Sequence, residues 1–259
     1  MKKFIAKHPI WFVVIVSMAN LLLGFPIEML SLVGIPEDAL PLVGSVVVTA
    51  VPLGLIAWLG WWRSSGFTTT VHNAPLLWVP LLRMMVPIIV FGTVANQMGL
   101  INFILVAMFF TALSEEALSR GLFVRALLPL GKWHAVLIPS VLFGLGHITQ
   151  FLFVGMPLAD NLIQIADSTF FGIMYAAIRL RVGSIWPLII IHMLGNTFTF
   201  IGGISGPNAV YDPPIGLFVV MWVVMIAYAI YLLSKPIVVT ISDETPISES
   251  EPVPMIKPA

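Results

Sequence analysis

Eight apolar runs, each close to the length a helix needs to cross a bilayer, follow one another with short gaps along this 259-residue chain: about 10–31, 41–62, 76–95, 100–128, 134–154, 158–179, 184–201 and 215–234. At about 1.5 Å of rise per residue, a helix needs roughly 20 mostly apolar residues to span the hydrocarbon. A water-soluble domain would clothe its surface with about 25% charged residues. Here 9% are charged and 59% are hydrophobic, so the solvent around most of the chain is lipid. In lipid the backbone must satisfy its own hydrogen bonds, which leaves helices or closed barrels. Runs of this length select helices, and the expected fold class is all-α: a polytopic membrane helix bundle of about eight transmembrane helices. The fourth run is long and polar in its second half, so it is expected to continue past the hydrocarbon or to lie tilted.

The charges give an independent reading of topology, because cytoplasmic connections collect Lys and Arg. Eight passages place the N-terminal tail and the segments near 63–75, 114–133, 180–183 and 235–259 on one side. That side holds Lys2, Lys3, Lys7, Arg63, Arg120, Arg125, Lys132, Arg179, Arg181, Lys235 and Lys257. The opposite connections carry Glu37, Asp38 and Asp212 and no Lys or Arg; Arg83 alone falls inside a run. The expectation is a multi-pass protein of the cell membrane with both termini cytoplasmic. Lys2, Lys3 and Lys7 before an apolar run resemble a signal peptide, but no small-x-small site follows, and the run reads as an uncleaved first span. Residues 1–234 are expected to form one membrane domain. Residues 235–259, with Asp243, Glu244, Glu249 and Glu251 among prolines, read as a disordered acidic cytoplasmic tail. Twelve basic and twelve acidic residues give no net charge, so a nucleic-acid partner has no electrostatic support. The absence of cysteine excludes disulfides, thiolate zinc sites and a cysteine nucleophile.

Ionisable groups at membrane depth are costly and mark functional sites by default. Ser114-Glu115-Glu116-Ala117-Leu118-Ser119-Arg120-Gly121 lies in the fourth run. Glu116 and Arg120 share a helical face and can pair, while Glu115 projects about 100° away. Two carboxylates with one arginine suggest one held and one free to act as a base; a salt-bridged helix at the membrane surface is the plain alternative. In Phe143-Gly144-Leu145-Gly146-His147 the aromatic ring and the imidazole share a face, and the glycines admit a close neighbour. In His192-Met193-Leu194-Gly195-Asn196 two hydrogen-bonding side chains share a face. Either histidine alone reads equally as polar glue between helices. His8, His72 and His134 fall at or near run ends and need no special account. Three such clusters on three helices match the way bundle interiors build sites from facing side chains.

At these residues the chain resembles the CAAX-protease and bacteriocin-processing family of intramembrane endopeptidases, related to the Ras-converting CAAX prenyl endopeptidase. That family shows Glu-Glu-x-x-x-Arg, Phe-x-x-x-His and His-x-x-x-Asn in order on separate helices. Here they read Glu115-Glu116-Ala117-Leu118-Ser119-Arg120, Phe143-Gly144-Leu145-Gly146-His147 and His192-Met193-Leu194-Gly195-Asn196. Gly121 after the arginine, and Phe171-Gly172 leading through Arg179 and Gly183-Ser184 to the last histidine, also look like the family. The likeness covers about 110–200. Ser119 departs from the bulky apolar residue that many members place before the arginine.

The resemblance implies peptide-bond hydrolysis of a membrane-associated protein or peptide. Glu115 would be the general base, activating water with His147; His192 and Asn196 would donate to the oxyanion. Glu116, Arg120 and Phe143 would support them, and the cavity would open toward the cytoplasm. The family is described both as metalloproteases and as metal-independent glutamate proteases, and the glutamate-type reading with no cofactor is favoured here. A zinc ion held by Glu115, His147 and His192 is the alternative, although no His-Glu-x-x-His stretch fixes two ligands locally. Two other functions compete. A transporter or channel would use Arg83, Glu28 and Asp167 within spans, but no inverted repeat appears. A non-catalytic immunity or scaffold protein on the same fold would tolerate loss of His147 and His192. Nothing in the chain selects a substrate, prenylated or not.

Overall fold

The apolar runs become helices. The computed structural model describes residues 1–23, 34, 36, 39–92, 101–201 and 215–239, and contains no strand among them. Helix α1 (Lys2–Lys7) is separated from α2 (Pro9–Leu22) by a non-helical His8, as the proline that follows it favours. Helix α3 (Leu40–Leu59) ends at Gly60, whose φ of 68° lets Gly60 N–H reach Ala57 O and Trp61 N–H reach Ile56 O. This is a Schellman motif, and it buries Trp61 just beyond the helix end. After a connection come α4 (Trp78–Phe91) and α5 (Ile101–Glu116). The latter runs on through a π-helical stretch, Ala117–Phe123, into α6 (Val124–Leu127). Then follow α7 (Lys132–Gly146), a π-helical turn Gln150–Val154, α8 (Leu158–Val182), α9 (Trp186–Ile201) and α10 (Ile215–Leu233). Glu28, Glu37, Asp38, Asp212 and the acidic tail from Ile241 lie outside the described residues.

Among the described residues four stretches are long and apolar enough to cross a membrane: Leu42–Leu59, Asn102–Leu130, Lys132–Val154 and Ile215–Leu233. Pro9–Leu22, Ala74–Val90 and Trp186–Ile201 are apolar but shorter. The sixth predicted run is the departure. Its helix α8 has 25 residues but carries Asp160, Asn161, Gln164 and Asp167, so it is not among the spans that length and composition select. Three of these, Asp160, Gln164 and Asp167, line a cavity, while Asn161 is buried. Elsewhere the usual pattern is inverted: Trp58, Ile89 and Val223 are 67%, 72% and 64% exposed, as lipid-facing side chains are. The deepest core lies along Ala117–Leu128 and Phe171–Leu188, where the π-helical stretch meets α8 and the start of α9. The chain is a polytopic helical membrane bundle.

Helices α7 and α8 pack on each other most extensively, with α10 against the other side of α8 and α9 bridging α5 and α4. The α7–α8 crossing depends on Gly144. A Cβ there would stand 2.7 Å from Ile165 O and collide with the Thr169 hydroxyl. The crossing brings His147, one turn beyond Gly144, beside Ser168 of α8. Gly144→Leu is therefore expected to cost about 1–3 kcal/mol of stability through overpacking and to pull His147 away from α8. Detergent-solubilised unfolding curves and the loss of any His147-dependent activity would measure the two effects; an unchanged midpoint would show that the helices do not meet here.

Candidate active site

Helix α5 delivers its glutamates to two different environments. Glu116 is completely buried, whereas the Glu115 side chain is 31% exposed and lines the main cavity. One oxygen of Glu116, Oε1, faces both Arg120 Nη1 at 3.1 Å and His192 Nδ1 at 2.8 Å. The pairing with Arg120 satisfies distance but not hydrogen-bond direction, since neither terminal nitrogen of Arg120 finds a hydrogen-bond partner. The guanidinium lies instead among rings: 4.5 Å from the centre of Phe143, 5.6 Å from Phe171 and 5.7 Å from Tyr175. In so dry a setting Coulomb attraction and cation–π contact hold the cation in place of direct hydrogen bonds. Arg120 belongs to the π-helical stretch, a wider coil of the kind found at functional sites. The expected Glu116–Arg120 pairing is present, but on a coil that straight α-helical spacing does not anticipate.

His192, from α9, stands between the two carboxylates. Its Nδ1–H donates to Glu116, and its Nε2 faces Glu115 Oε2 at 3.4 Å. The imidazole is 6% exposed and wedged against Phe171, ring centres 4.9 Å apart. His147 lies inside the stretch Lys132–Val154, as expected, at a one-residue turn between Gly146 and the helical residues that follow. Its ring keeps a helical hydrogen bond, Nδ1–H donating to Phe143 O at 3.0 Å, and packs edge-on to Phe143. In the neutral imidazole this leaves the Nε2 lone pair facing Ser168 Oγ, 3.4 Å away. The main-chain oxygen of His147 accepts from Asn161 Nδ2 at 2.8 Å. Asn196 lines the same cavity, and its side chain has no hydrogen-bond partner among the described residues.

Glu115, Phe143, His147, His192 and Asn196 thus border one cavity of about 810 Å³, with Glu116 and Arg120 behind its wall. Glu115 and His147 share this space without a direct hydrogen bond to each other among the described contacts. The sequence alone does not single out Ser168, one turn before Phe171, or Tyr175, one turn after it, although both line the cavity. Arg83 and Asp167, noted only as ionisable residues within spans, prove to be partners across α4 and α8. Asp167 also accepts from Trp222 Nε1 at 3.1 Å, and Arg83 lies 4.9 Å from the Phe171 ring centre.

Among the described residues no group of three His, Asp or Glu side chains is placed to hold a metal. His147 and His192 each engage Nδ1, with Phe143 O and Glu116 respectively, and His192 Nε2 faces Glu115.

The helix bundle thus buries one carboxylate and lines a cavity with another carboxylate, two imidazoles and an amide. The family model described as Type II CAAX prenyl endopeptidase Rce1-like matches residues 96–198, which include all three motifs. The likeness is to that segment, less than half of the chain. No curated protein and no solved structure gives a significant match.

Proposed function

We propose that the chain is an intramembrane endopeptidase in which Glu115 is the general base and His147 its partner in holding the hydrolytic water. The observation that carries this reading is the division of labour between adjacent glutamates: Glu116 is sealed behind Arg120 and His192, while Glu115 opens on the cavity shared with His147 and Asn196. Water, oriented by Glu115 and His147 Nε2, attacks the scissile carbonyl carbon and gives its proton to Glu115. The carbonyl π electrons move onto oxygen, where Asn196 Nδ2–H and a proton on His192 Nε2 receive the charge. The intermediate collapses as the C–N bond breaks, and Glu115 returns its proton to the leaving amine. Base catalysis and oxyanion donors of this kind contribute about 10²–10⁴-fold and 10²–10³-fold respectively. Both termini lie on the cytoplasmic side in this reading, and residues 1–234 act as one membrane domain. No metal takes part.

The test is a comparison of membranes carrying wild-type or Glu115→Ala protein, with new polypeptide termini catalogued by mass spectrometry. Fragments that require Glu115, and that persist after chelator treatment of the purified enzyme, are the expected result. Cleavage lost on chelation and restored by zinc would overturn the metal-free mechanism. Identical fragment sets from both proteins would overturn the protease reading. Solute flux into proteoliposomes that survives loss of Glu115 would point to transport instead.

A further inference from the structure

The end of the bundle where α1 begins, α3 stops and α6 gives way to α7 holds a second cavity, of about 220 Å³. Its walls include Lys2, Ile5, Trp61, Arg125, Pro129 and Leu130, and no Asp or Glu among the described residues. Lys2 and Trp61 bring donors to it from two parts of the chain, beside the cation of Arg125. The Lys2 ammonium has no partner among the described residues. The indole N–H of Trp61 is buried without an acceptor, although the residue is only 3% exposed. The Arg125 guanidinium, 6% exposed, lies 4.5 Å from the centre of the Trp61 ring. A buried N–H with nothing to donate to is unfavourable unless a ligand supplies the acceptor. Leu130, which lines the cavity, is 40% exposed, and Phe4 and Trp133, next to the lining residue Ile5 and three residues beyond Leu130, are 41% and 47% exposed.

We infer that this cavity binds an anionic phosphate group, and that these exposed apolar side chains favour the headgroup of an anionic phospholipid over free phosphate. A phosphodiester presents oxygens in several directions, which suits the Lys2 and Trp61 donors arriving from different elements beside the Arg125 charge. Its acyl chains would run along the exposed Phe4, Leu130 and Trp133. Basic pockets between helices on the side rich in Lys and Arg are where such headgroups bind, and Lys3, Lys7, Arg63 and Lys132 belong to this same end of the bundle. Lys132 itself is committed elsewhere, donating to Leu233 O. The site is separate from the catalytic cavity and stands whether or not the protease reading does.

The experiment places purified full-length protein in nanodiscs of phosphatidylcholine, with or without phosphatidylglycerol, or with inorganic phosphate added to the phosphatidylcholine discs. Native mass spectrometry counts retained lipid, and thermal unfolding reports protection. Two variants accompany the wild type: Lys2→Gln at an exposed position, and Trp61→Phe, which keeps the ring under Arg125 but deletes the donor. The wild type is expected to retain one phosphatidylglycerol and to unfold at a higher temperature with it. Each variant, compared with its own value in phosphatidylcholine, is expected to bind roughly tenfold more weakly, as for one lost charge-assisted contact. Protection by inorganic phosphate alone, sensitive to the same substitutions, would support the anion site and name free phosphate as its ligand. Equal retention by wild type and both variants, or no response to either phosphate source, would overturn the site.

Discussion

Glu115→Gln is expected to lower peptide cleavage by about 10²–10⁴-fold, the range lost when a general base is removed, while stability stays within about 0.5 kcal/mol of wild type. The Glu115 side chain is 31% exposed, borders the cavity, and its nearest ionisable neighbour is His192 at 3.4 Å. Gln keeps its shape and removes the proton acceptor. Glu116→Gln, one position on, is expected to weaken the fold first, because that carboxylate is fully buried and faces both Arg120 and His192. Paired measurements of turnover and unfolding on the two variants distinguish a base from a strut. Wild-type turnover in Glu115→Gln would remove Glu115 from the mechanism.

Arg120→Leu is expected to destabilise the protein by about 3–5 kcal/mol, the cost of leaving one half of a buried ion pair behind. Arg120 and Glu116 are 1% and 0% exposed, and the guanidinium holds Phe143, Phe171 and Tyr175 around it. The double variant Arg120→Met with Glu116→Gln is expected to recover much of the loss, because no uncompensated charge remains inside. Denaturant titration in a defined detergent measures both. A single Arg120→Leu variant as stable as wild type would show that aromatic packing, and not charge, holds this turn.

Much of this architecture is written locally. Hydropathy marks where helices lie because each apolar run must match a bilayer, and the i,i+4 spacings of Phe143 with His147 and Glu116 with Arg120 reappear as direct contacts. What spacing cannot supply is partnership over distance. The Glu116–His192 hydrogen bond joins residues 76 positions apart, and the Arg83–Asp167 pair joins residues 84 apart. Each of these residues was visible as a polar group in an apolar run, but which one it met depended on the packing of α4, α5, α8 and α9. Periodicity also hid departures from itself. The π-helical stretch after Glu116 and the stop of α7 at His147 both lie in runs that read as uninterrupted helix. For α8 the apolar pattern suggested a span like the rest, yet Asp160, Gln164 and Asp167 face a cavity rather than lipid alone, and Asn161 is buried against His147.

The stop of α7 at His147 also bears on how the protein is made. A break in a helix partway along an apolar run weakens the hydrogen bonding of main-chain oxygens, which hydrocarbon tolerates poorly. The oxygen of His147 accepts from Gln150 N–H in its own segment and also from the side-chain amide of Asn161, a fully buried residue of the next helix. In lipid without its neighbour, the Asn161 amide would lose that acceptor. The two should therefore leave the translocation machinery as a hairpin, so that the imidazole is seated during biogenesis and not by later rearrangement.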